Sequence, residues 1–117
     1  AALAPRAALA ADAPKDDPLA AYKLRWTAGV RWADVVDVSK APGDTADAKL
    51  RAALALLPAA GGVAYFPAGT YRFAESITLP DGVVLRGADP GSIASAHNEK
   101  YSPPTVFEFP RYAFAPE

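Results

Sequence analysis

Gly61-Gly62-Val63-Ala64-Tyr65-Phe66-Pro67-Ala68-Gly69-Thr70-Tyr71 decides how this chain is read, because the spacing of apolar residues changes across it. Before it, Leu50, Ala53, Leu54 and Leu57 recur at i, i+3, i+4 and i+7, one apolar stripe at helical period. That spacing predicts a helix over 46–57, stopped by Pro58 and the glycine pair. After it, 62–66 reads as a short strand and Pro67-Ala68-Gly69 as a turn. Thr70-Tyr71-Arg72-Phe73 then alternates, which places Tyr71 and Phe73 together.

Outward from this stretch the same punctuation continues. Upstream, 31–38 is rich in β-branched residues and reads as a strand with Val36 and Val38 on one face. Ala41-Pro42-Gly43-Asp44 ends it, and Asp44 or Thr45 can cap the helix by accepting from its free N–H groups. Asp47 then lies in the first turn, where the helix dipole favours an anion, with Arg51 four residues on. Downstream, Ser76-Ile77-Thr78-Leu79 reads as a strand, Pro80-Asp81-Gly82 as a turn and 83–87 as another strand. Nothing between these strands is long enough for a crossover helix. A repeat of about twenty residues fits a β-solenoid, and an antiparallel meander fits the spacing equally well. Pro103-Pro104 introduces a last strand in which Phe107 and Phe109 share a face, with Tyr112 and Phe114 following.

Composition narrows the function classes. The 117 residues carry a net charge of −1, with 51% hydrophobic and 21% charged residues, enough to bury a core. The balance lacks the clustered basic face that nucleic acid requires, so no nucleic-acid partner is expected. The absence of cysteine excludes disulfides, thiolate zinc sites and thiol nucleophiles. No apolar run approaches the roughly 18 residues of a membrane span, so no membrane partner is expected. Without methionine, the chain is expected not to begin at its own translation start. Residues 1–23 are Ala/Pro-rich and read as a leader or linker, ordered structure being expected from Leu24 to the end at 117. Ala8-Leu9-Ala10 has the small-x-small pattern that precedes signal cleavage, consistent with a secreted or periplasmic protein.

Val35-Val36-Asp37-Val38, the Pro-Gly-Asp-Thr turn, the helix, then Tyr65-Phe66-Pro67-Ala68-Gly69-Thr70-Tyr71 and Val83-Val84-Leu85-Arg86-Gly87 stand in a characteristic order. This order resembles the N-terminal segment of the pectate-lyase-like superfamily. The match spans about 35–87, and the turn before the helix is shorter than that family's. The resemblance implies an all-β fold with one capping α-helix, a right-handed parallel β-helix of which this chain is an N-terminal fragment. On that expectation Leu50, Leu54 and Leu57 face inward and the helix covers the open end of the first coil. Solenoids need about three stacked repeats and barely two are countable, so further coils beyond Glu117 are expected as its partner.

What the resemblance implies for the whole protein is a carbohydrate-active enzyme, a polysaccharide lyase or glycoside hydrolase, acting on an extracellular acidic polysaccharide. A Ca²⁺ cofactor is implied for some lyases of this kind. A non-catalytic glycan-binding or adhesion protein is the alternative. No residue of the chain is assigned a catalytic, cofactor-binding or metal role. His97 lies in a polar loop and reads as solvated. Asp34 and Asp37, three apart on a strand, fall on opposite faces and do not converge as acid–base partners. Arg72 and Arg86 could line a groove for an acidic sugar, although such side chains more often point to solvent. Trp26 and Trp32 could stack on a sugar ring, but the flanking Leu24, Val30 and Val35 favour packing for both.

Overall fold

Where the chain turns from helix to strand, a βαβ unit forms. The fold was obtained as a computed structural model, and it describes residues 13–90 and 102–111. In chain order the elements are a 3-10 turn (Ala20–Tyr22), α1 (Arg25–Ala28), β1 (Val35–Asp37), a second 3-10 turn (Val38–Lys40) and α2 (Ala46–Leu56). There follow β2 (Gly62–Phe66), β3 (Gly69–Arg72), β4 (Val83–Gly87) and β5 (Thr105–Glu108). Thr45 caps α2, its hydroxyl accepting from the Ala48 N–H at 3.1 Å. Leu50 and Ala53 are the buried members of its stripe.

Two parallel sheets result, one of three strands in the order β1-β2-β4 and one pairing β3 with β5. The register aligns Val35, Val63 and Val84 on one face of the first sheet and Val36, Ala64 and Leu85 on the other. The second column meets Leu50 and Ala53 of α2 in the main buried cluster, together with Phe66 and Phe73. The first column packs with Trp32 and Ala13 in a smaller one. Phe66, fully buried, is ringed edge-on by Tyr71 at 4.9 Å, Phe107 at 4.5 Å and Phe73 at 6.2 Å between centroids. Each such pair adds about 0.5–1.5 kcal/mol beyond the apolar area it buries. Thr105 ties the sheets together: its hydroxyl accepts from the Ala88 N–H at 2.9 Å and donates to the Phe66 carbonyl at 3.0 Å.

The all-β, right-handed parallel β-helix expected from the sequence is not what the described residues form. They make a small mixed α/β fold of two small parallel sheets, and no solenoid is present among them. The connections give the reason. α2 is the crossover that joins β1 to its parallel neighbour β2, and its apolar stripe belongs to the same core as the strands. Among the described residues the second sheet has no strand to accompany β1; the chain leaves β1 directly into the 3-10 turn Val38–Lys40. Only β2 with β3 and β4 with β5 supply both sheets, short of the roughly three repeats a solenoid needs. The antiparallel meander is excluded as well, since every strand pairing among the described residues is parallel.

Two expected strands also change. Residues 76–79 are irregular. The N–H groups just before them, on Ala74 and Glu75, donate to the Asp47 carboxylate at 2.9 and 3.2 Å, and Pro80 has no N–H to give. The strand read over 31–38 is reduced to Val35–Asp37. Its first part is a turn, closed by the Asp34 N–H donating to the Arg31 carbonyl and by the Arg31–Asp34 ion pair.

Candidate functional site

The stretch Tyr22-Lys23-Leu24-Arg25-Trp26, running from the first 3-10 turn into α1, is an exposed aromatic and basic strip. Its placement follows from Thr27. In α1, a single helical turn, Thr27 is the buried residue. Its carbonyl accepts the Trp32 Nε1–H at 2.8 Å in the interior, and its own hydroxyl donates to the Leu24 carbonyl at 3.0 Å. Helical residues advance by about 100° each, so turning Thr27 inward carries Trp26 outward. Trp26 is 58% exposed and Tyr22 71% exposed.

Between the rings the backbone reverses at Lys23, whose φ of 52° and ψ of 42° are left-handed. That conformation costs a non-glycine residue about 1–2 kcal/mol. The Lys23 N–H closes the 3-10 turn by donating to the Ala20 carbonyl at 3.2 Å. Lys23 and Arg25 are both exposed, and among the described residues neither has an ion-pair partner. The strip therefore exposes two aromatic rings and two cations.

The residues singled out in the sequence divide sharply. Trp32 is 9% exposed and packs with Val35 and Val63, as its neighbours suggest, whereas Trp26 is more than half exposed. Arg86 is largely covered: its guanidinium lies 5.8 Å from the centre of the Trp32 ring and donates to the Asp16 carbonyl at 2.6 Å. Arg72 pairs with Glu108, its register partner on β5, at 2.9 Å in an exposed position. Asp34 pairs with Arg31, while Asp37 is buried and accepts from the Ser39 N–H and hydroxyl at 2.9 and 2.6 Å. The structure brings none of these carboxylates onto a common point. His97 lies outside the described residues, as do Tyr112 and Phe114.

Tyr22, Lys23 and Arg25 were missed by sequence reasoning. Two aromatic residues bracketing two basic ones across five positions are the available signal, but Leu24 in the middle favours packing; Leu24 is 39% exposed. For Ca²⁺ the residues do not fit: no three His, Cys, Asp or Glu side chains among the described residues stand close enough to hold a metal ion. No described helix is long and apolar enough to cross a membrane. Compared with protein-family models, with curated proteins and with solved structures, the chain matches none.

Proposed function

We propose that this chain binds an acidic polysaccharide through Tyr22, Lys23, Arg25 and Trp26, as a glycan-holding part of a carbohydrate-active protein. The observation that carries this reading is the strip itself: two exposed rings flanking two exposed cations that lack ion-pair partners among the described residues. A pyranose presents an apolar face of axial C–H groups, which an aromatic ring can cover while the hydroxyls stay in water. A uronate or sulfated sugar adds an anion, which a guanidinium grips with paired hydrogen bonds and an ammonium attracts as a point charge. On this reading the strip binds without turnover. The lyase or hydrolase reading rests on the sequence resemblance and has no residue here to carry it. Such a polysaccharide lies outside the cytoplasm, in keeping with a secreted or periplasmic protein.

Affinity electrophoresis tests the proposal. The chain is run in native gels containing polygalacturonate, alginate or a neutral glucan. Retardation by the acidic polymers, each mobility taken relative to the same protein in a polymer-free gel, is the expected outcome, weakened in Trp26→Ala and in Lys23→Glu/Arg25→Glu and abolished when all three substitutions are combined. Equal relative retardation of the wild type and all variants, or no retardation of the wild type by either acidic polymer, would remove the reading.

A further inference from the structure

The two rings of the strip are anchored by different devices. α1, carrying Trp26, is fixed by the buried Trp32 Nε1–H bond to the Thr27 carbonyl at 2.8 Å. The preceding segment, carrying Tyr22, crosses the outer face of the first sheet and is fixed elsewhere. Ala13, 8% exposed, packs against Trp32, Val35 and Val63. Three residues on, Arg86 of β4 holds Asp16 twice: Nη1 donates to its carbonyl at 2.6 Å and Nη2 to its carboxylate at 3.3 Å. The Arg86 side chain is only 15% exposed, that of Asp16 76% exposed. Lys23, in its left-handed conformation, is the joint between the two anchored pieces.

We propose that Arg86 is a positioning residue that sets the spacing of Tyr22 from Trp26, by clasping Asp16 seventy positions away in the chain. The proposal rests on the glycan-binding reading for its consequence, though not for the clasp. With the clasp closed, both rings belong to one rigid surface and a long chain engages both. With it open, Trp26 stays in place on Thr27 and Trp32 while Tyr22 swings about Lys23. Only ligands long enough to span both rings then lose affinity. Local opening of this kind is read by amide exchange, which reports each segment separately.

The test uses the full chain and two variants. Arg86→Met keeps an unbranched apolar stem and removes the donors together with the guanidinium over Trp32. Asp16→Lys places a like charge opposite Arg86 at an exposed position, where it leaves the core intact. In both variants amide exchange over 20–23 should quicken about 10-fold while 25–28 keeps the wild-type rate. Affinity for a hexagalacturonate should fall about 5-fold and that for a digalacturonate stay unchanged, and Arg86→Lys should recover part of the loss. Exchange that quickens equally in both stretches, or in neither, overturns the clasp. Quickening confined to 20–23 in a protein that binds neither oligosaccharide upholds the clasp and removes the glycan reading instead.

Discussion

Trp26 and Trp32, six residues apart, should respond to replacement by alanine in opposite ways. Trp32 is 9% exposed, donates a buried hydrogen bond at 2.8 Å and lies beneath the Arg86 guanidinium. Truncating a buried tryptophan to alanine costs about 3–5 kcal/mol. Domains of this size are stable by roughly 5–15 kcal/mol, and urea slopes run at about 1–3 kcal/mol per molar. Trp32→Ala should therefore lower the urea midpoint by about 2 M, or prevent folding outright. Trp26 is 58% exposed, so less than half as much of its surface is withdrawn from water. Its removal should cost no more than about 1–2 kcal/mol on the same scaling. Far-UV circular dichroism through a urea titration measures both. If Trp26→Ala destabilises as strongly as Trp32→Ala, Trp26 is a core residue and the exposed strip does not exist.

Two further outcomes follow from the fold. The Ala74 N–H holds the Asp47 carboxylate below the usual carboxylate range, opposed by partial desolvation and aided by the Glu75 N–H and Arg51. A depressed folded pKa means that Asp47 contributes stability above its unfolded value of about 3.9, lost as pH falls through the lower folded value. Asp47→Asn should flatten the acid limb of a stability–pH curve and leave its shape above neutrality unchanged. Gly61→Ala should be among the most damaging single substitutions, since a Cβ there meets the Gly82 carbonyl oxygen at 2.3 Å and φ is 103°. A loss beyond about 2 kcal/mol in thermal melts is expected, and a neutral result would contradict the close approach of these two turns.

Much of the element order was legible because it rests on local spacing. The stripe Leu50, Ala53, Leu54 and the Thr45 cap place α2, and the apolar runs at 62–66 and 83–87 place β2 and β4. The pairing was not legible, since alternation along a strand is the same whether its neighbour runs parallel or antiparallel. For the same reason α2 was read as a cover laid on an end, when it is the crossover between β1 and β2. The strand read at 76–79 failed on a contact no local rule contains, the Asp47 carboxylate taking the N–H groups of Ala74 and Glu75. At the site, Trp32 was legible from its apolar neighbours. Trp26 was misjudged because α1 is one turn long, and the inward choice of Thr27 over Trp26 is decided by the indole of Trp32. The partner of Arg86 lies in the Ala/Pro-rich stretch read as a leader.

Whether the strip holds an acidic glycan decides what this surface does. Isothermal titration of a hexagalacturonate into the full chain, at low and at near-physiological salt, measures it. The predicted result is saturable binding that weakens as salt rises, because Lys23 and Arg25 are exposed and screened. It should persist more weakly in Lys23→Glu/Arg25→Glu at high salt, through the rings, and disappear when Trp26→Ala is added. Binding that ignores all three substitutions, or no binding by the wild-type chain at either salt, would show that the strip does not hold the glycan.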